Sequence, residues 1–131
     1  MLASLHSMGI FGMDAYPVSV EADLSQGLPS FDVVGLPDAT VRESRERVRA
    51  AMKNSGFEFP VSRITVNLAP ADVRKEGAIY DVPLFLALLV ASGQLNRVAD
   101  DSAFLGELSL SGEVRPVHGV LSMVISAKEH G

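Results

Sequence analysis

From Leu2 to Val34 apolar and polar residues alternate in short runs broken by glycine and proline, most clearly in PVSVEADL and SFDVVGLP. Alternation of period two predicts strands, and two or three of them in a meander fit this stretch. QGLPS, residues 26–30, supplies the turn between the second and third, because Gly and Pro favour a reversal. The period then lengthens. LPDATVRESRERVRAAMKNSG predicts a helix, with Thr40 and Glu43 at capping-box spacing and Gly56 as its stop. At about 100° per residue, Val41, Val48, Ala51 and Met52 share one side, while Arg42, Arg45, Arg49 and Lys53 fall on a neighbouring arc. One stripe faces a core and the adjacent one is basic.

VSRITVNLAP returns to an imperfect alternation at Val61, Ile64, Val66 and Leu68, and its β-branched content predicts a central strand ending at Pro70. A charged turn follows. Asp81 and Pro83 stand where an N-cap and a first-turn proline belong, and LFLALLVAS is apolar all round, which predicts a helix buried on most sides and stopped by Gly93. After a polar stretch from Asn96 to Ser102, AFLGELSL and GEVRPV read as a hairpin turning at Ser111 and Gly112. HGVLSMVISAKEHG closes the chain, apolar at Val120, Leu121, Val124 and Ile125, and predicts an amphipathic helix ended at Gly131. This order predicts one α+β domain over residues 1–131, a mixed sheet covered by two to three helices.

Composition narrows the classes. The 131 residues are 47% hydrophobic and 21% charged, enough to bury a core in a single domain. A formal charge of −5 argues against whole-surface attraction to nucleic acid and leaves only a local basic patch. The absence of cysteine excludes disulfides, thiolate zinc sites and cysteine nucleophiles, and fits a cytoplasmic protein. The N-terminus lacks the basic, then long apolar, pattern of a secretory signal. The longest apolar run, Val82 to Ala91, is far short of the roughly 20 residues of a membrane span, so no membrane association is expected.

Candidate chemistry is sparse. There is no G-x-x-x-x-G-K-[ST] and no G-x-G-x-x-G, so no backbone cradle for phosphate is expected in this segment, and with it no cofactor. His6, His118 and His130 are scattered, and Asp100 with Asp101 reads as a solvated loop pair, so no metal site is expected. His118 and Ser122 stand one helical turn apart, a spacing that chance supplies often. The turn from Lys75 to Asp81 is different. It joins a central strand to a buried helix, a place where α/β architectures position active groups.

The residues of that turn carry a resemblance. VNLAPADVRKEGAIYDVPLFLALLVASG with FLGELSLSGEVRPVHGVLSMVISAKEHG resembles the Lon-type protease domain, a ribosomal protein domain 2-like fold. With GMDAYPVSVEADLSQGLPSFDVVGLPDATVRESRERVRAAMKNSG, nearly the whole chain is similar to the N-terminal domain of magnesium-chelatase-like AAA+ proteins, the ComM/YifB family. Lon-type proteases use a serine in a P-K-D-G-P-S-A-G turn and a lysine after G-x-V-x-P-I-G-G-L-K. Matched to the first, Lys75, Glu76 and Gly77 fall on K-D-G and Ile79 on the serine, with Arg74 in place of the first proline. Matched to the second through Gly112, Val114, Pro116 and Gly119, Leu121 falls on the lysine. A slip of one residue brings in Tyr80 or Ser122 and restores no serine with a lysine. The resemblance therefore implies the fold with its dyad vacated at Ile79 and Leu121.

It further implies a fragment of a larger AAA+ protein that binds ATP and magnesium elsewhere in its chain, with its own AAA+ module as partner and copies of itself in a hexamer. ComM-like members resemble DNA motors of branch migration and competence, and related non-proteolytic Lon-like domains occur in the RadA family. Arg42, Arg45, Arg49 and Lys53, with Arg74 and Lys75, could then contact phosphates. Glu43, Glu46 and Arg47 alternate with them, so the same face also reads as a solvated or protein-contacting one. The alternative is an oligomerisation scaffold without DNA contact, with Phe11, Phe57 and Phe59 at an interface. Peptide hydrolysis through an unforeseen serine is a third, enzymatic reading.

Overall fold

The computed structural model describes residues 2–11, 14–98, 100–117 and 120–130, with the side chains of Phe11, Leu121 and Ser122 outside that description. His118, Gly119 and Gly131, named above, also lie outside the described residues.

Three strands open the chain: β1 (Leu2–Phe11), β2 (Asp14–Ser25) and β3 (Ser30–Val34). Helix α1 (Ala39–Asn54) crosses to β4 (Arg63–Ala69), and helix α2 (Asp81–Ala91) follows the charged turn. The short strands β5 (Glu107–Leu108) and β6 (Val114–Arg115) precede helix α3 (Val120–Glu129). The main sheet has the order β1-β2-β4-β3. β1 with β2 and β2 with β4 are antiparallel, whereas β3 and β4, joined through α1, are parallel. The fold is thus the α+β arrangement with a mixed sheet that the pattern predicts, but the opening strands do not form the expected meander, because β4 lies between β2 and β3.

Register explains the core. Leu5 faces Val20, which faces Leu68, and Ala22 faces Val66, so one side of the sheet is continuously apolar and buried. Val41, Val48, Ala51 and Met52 of α1 meet it with no accessible surface, as do Leu84, Ala87 and Leu88 of α2. α3 lies against β1 and β2, with Met123 buried and the Ser126 hydroxyl donating to the Ala15 carbonyl at 3.1 Å.

The helix stops are as the glycines predict. At the end of α1 the Phe57 amide donates to Met52 O at 3.0 Å and the Gly56 amide to Lys53 O at 3.3 Å, with Gly56 at φ +86°. At the end of α2, Gln94 donates to Leu89 O and Gly93 to Val90 O in the same pattern, which satisfies the last carbonyls. The helix starts differ from the sequence reading. Asp38, not Thr40, caps α1, its Oδ1 accepting from the Val41 amide at 2.7 Å. Its other oxygen reaches the Gly77 amide at 3.4 Å, so one carboxylate serves the helix and the charged turn together, which the hydroxyl of Thr40 could not do. Tyr80, not Asp81, stands at the N-cap of α2, because the Asp81 carboxylate is turned into the interior. The hairpin is also shorter than its apolar run predicts, with two residues per strand.

Candidate functional site

The turn between β4 and α2 is built outward from Lys75. Its backbone joins the loop before α1: the Lys75 amide donates to Leu36 O and the Asp38 amide to Lys75 O, each at 3.0 Å. Its side chain has no accessible surface, and the ammonium donates to Gly35 O at 2.9 Å and to Pro70 O. Burial lowers the pKa of this amine, an effect that the charge of Asp72 partly offsets. Gly35 permits the arrangement: it sits at φ +105°, and a Cβ there would lie 2.1 Å from the Leu68 carbonyl oxygen. Lys75 therefore ties two loops together from inside and is not a surface point for phosphate, because its ammonium replaces lost hydration with backbone carbonyls. That corrects its assignment to a basic patch.

Ile79 lines an open cleft of about 490 Å³ with Ile10, Val117 and Pro116, and Glu76, Glu107 and Asp38 stand around them. Its carbonyl accepts from the Gly106 amide at 2.8 Å, and Gly106 O accepts from Val82 at 3.0 Å, which fixes the turn against the segment leading into β5. The side chain of Leu121, at the position matched to the lysine, lies outside the described residues. Beside the cleft, Tyr16 and Tyr80 converge over Gly9, where a Cβ would come within 2.6 Å of both hydroxyls. Tyr16 donates to the Arg74 carbonyl at 3.0 Å, whereas the fully buried Tyr80 hydroxyl has no hydrogen-bond partner among the described residues. Burial raises the pKa of both phenols, and the neighbouring Tyr16 pushes Tyr80 further up.

Sequence reasoning missed a buried carboxylate that accepts four hydrogen bonds. The buried Asp81 carboxylate accepts from Arg47 Nε at 2.6 Å, Arg47 Nη2 at 3.1 Å and the Leu108 amide at 3.0 Å, and also from the Ser44 hydroxyl. One side chain thus joins α1, α2 and β5. Burial acts to lower the Arg47 pKa, but the bonds and charge of Asp81 outweigh it and leave it raised. A usable signal was an aspartate at the head of an otherwise apolar helix, since a buried carboxylate requires a cation or several donors.

The remaining basic candidates are divided. Arg42 and Lys53 are exposed on α1. Arg45 turns back to donate to Phe31 O at 3.2 Å and to Arg42 O at 3.0 Å. Arg49 lies 5.1 Å from the Phe59 ring centroid and pairs with Glu46 at 3.8 Å, and Arg74 pairs with Glu76 at 3.5 Å. The phenylalanines read as interface residues are also engaged: Phe59 packs on Phe31 at 5.7 Å and Phe57 edge-on to Phe85 at 5.9 Å. Phe11, the third of that set, has its side chain outside the described residues. His6 and His130 border a separate cleft of about 380 Å³ with Asp100 and Asp101, and among the described residues no cluster has the make-up of a metal site.

A family model described as subunit ChlI of Mg-chelatase matches residues 20–131. The chain is 47% identical over 131 residues to an uncharacterized protein, YifB, of Escherichia coli (strain K12), covering 99% of this chain and 26% of that protein. It is 44% identical over 129 residues to the competence protein ComM of Haemophilus influenzae, covering 98% and 25%. A Lon protease of Chloroflexus aurantiacus is 30% identical over 122 residues, 87% of this chain and 14% of that protease. The chain spans about a quarter of the length of the YifB and ComM relatives.

Proposed function

Because the chain belongs to the family of the Mg-chelatase subunit ChlI, we propose that it acts as a non-hydrolytic domain of a YifB- or ComM-like ATPase and helps copies of that ATPase to assemble. In this reading ATP and magnesium are bound by another part of the longer protein, in the cytoplasm. The observation that carries it is the state of the turn: an isoleucine lines the cleft at the position matched to a nucleophile, and the turn's lysine is buried against carbonyls. Isoleucine offers no nucleophile, and the Lys75 ammonium is engaged with two backbone carbonyls. Apolar side chains meanwhile remain at the surface of α3, with Val120, Val124 and Ile125 at 41%, 57% and 52% exposure, which suits contact with protein better than with solvent. The experiment is sedimentation of the longer ATPase with and without this domain. Loss of the assembled form on deletion supports the proposal, and unchanged assembly contradicts it.

Exposed Arg42 and Lys53 favour a second reading, contact with DNA phosphates along α1. It is weakened by the tethering of Arg45 and Arg49 and by the burial of Lys75. Under it, Arg42→Glu with Lys53→Glu lowers DNA affinity and flattens its dependence on salt. Affinity unchanged by both substitutions would remove it.

A further inference from the structure

Leu36 is the only non-glycine residue with positive φ among the described residues, at +56°, and its side chain is 52% exposed. A branched, apolar residue gains nothing locally from this strained conformation, which persists only where the surroundings enforce it. The enforcement is visible. Leu36 O accepts from the Lys75 amide, the preceding Gly35 O accepts from the buried Lys75 ammonium, and Asp38 beyond it donates to Lys75 O. Three bonds to one residue thus hold a leucine out into solvent, and Arg42 and Arg74 border the same depression.

The neighbouring Ile79 cleft is the complement of this knob. Its apolar lining, Ile10, Ile79 and Val117, has room for a leucine side chain, and Glu76 and Glu107 stand at its border where two arginines would arrive. Asp38 borders both depressions, so knob and cleft sit side by side on one face. Neighbouring complementary features fit a two-fold contact, in which each copy gives a knob and receives one. A head-to-tail ring contact would instead place them on opposing faces.

We infer that this face is a self-association surface, with Leu36 of one copy entering the Ile79 cleft of a second and Arg42 and Arg74 meeting its Glu76 and Glu107. The inference rests on the assembly reading and names its contact.

Sedimentation velocity of the protein over a range of concentrations, at low and high salt, tests it. A monomer–dimer equilibrium weakened by salt is expected. Leu36→Gly should raise the dimer dissociation constant at least tenfold while leaving the melting temperature unchanged or higher, because glycine adopts positive φ without strain. Glu76→Arg, at an exposed position, should weaken the dimer by repulsion from the partner's arginines, and adding Arg42→Glu, on the other element, should restore part of it, whereas Arg74→Glu would also rebuild the pair within one copy. A protein that stays monomeric throughout, or a dimer indifferent to Leu36→Gly and to the charge exchange, overturns the inference. A dimer indifferent to these changes, together with loss of the longer ATPase's assembled form when the domain is deleted, leaves the assembly reading standing and this contact refuted. Loss of neither assembly nor dimer on any change refutes both.

Discussion

At the scale of single residues, two buried polar groups next to the cleft link stability to alkaline pH with opposite signs. The Tyr80 phenol is buried without a hydrogen-bond partner among the described residues, and its raised pKa means that the folded state keeps a proton the unfolded state releases. Stability from this group is therefore lost as pH rises above about 10, where an unfolded tyrosine ionises. Tyr80→Phe should stabilise the fold by about 1 kcal/mol at neutral pH by removing an unpaired hydroxyl, and should delay alkaline unfolding, both read by denaturant titration. Lys75 has the opposite sign. Its lowered pKa leaves a window, below the ordinary lysine value, in which only the unfolded state is protonated, so stability rises with pH through that window. Lys75→Met should cost about 2 kcal/mol by leaving the Gly35 and Pro70 carbonyls unpaired, and should remove this alkaline gain. A melt that improves in the methionine variant would contradict the assignment of Lys75 as an internal tie.

At the scale of elements, the link among α1, α2 and β5 runs through Asp81. Asp81→Ala removes the acceptor for Arg47, Ser44 and the Leu108 amide together and should cost about 3 kcal/mol. A double-mutant cycle with Arg47→Ala should return a coupling of about 1.5–3 kcal/mol, and a coupling near zero would show that the Leu108 and Ser44 bonds suffice. The helices themselves were legible in the sequence because their signals are local: inward valines one turn apart, and Gly56 and Gly93 at the stops. The starts were misread for a physical reason. Asp38 and Asp81 answer to partners some forty and thirty residues away, Gly77 and Arg47, which no local pattern encodes. Thr40 and Glu43 have the spacing of a capping box, yet the cap is decided by which side chain also meets the turn.

At the scale of the whole molecule, the mixed sheet and its helical cover followed from the order of alternating and helical segments, and the similarity to YifB and ComM agrees with the resemblance carried by the sequence. The candidate site was legible only in part. The place of Ile79 came from matching the turn, and the structure puts it in a cleft. The helical part of the basic patch came from spacing, which cannot tell an arginine that faces water from one stacked on Phe59 or tied to a carbonyl. The central claim is that a hydrolase-like framework persists here without its reactive pair. Its most direct test is to incubate the protein with an unfolded polypeptide and a serine-directed fluorophosphonate and to follow both by intact mass. The account predicts an uncut substrate and an unmodified protein; cleavage with an adduct on one serine, both abolished when that serine becomes alanine, would contradict it.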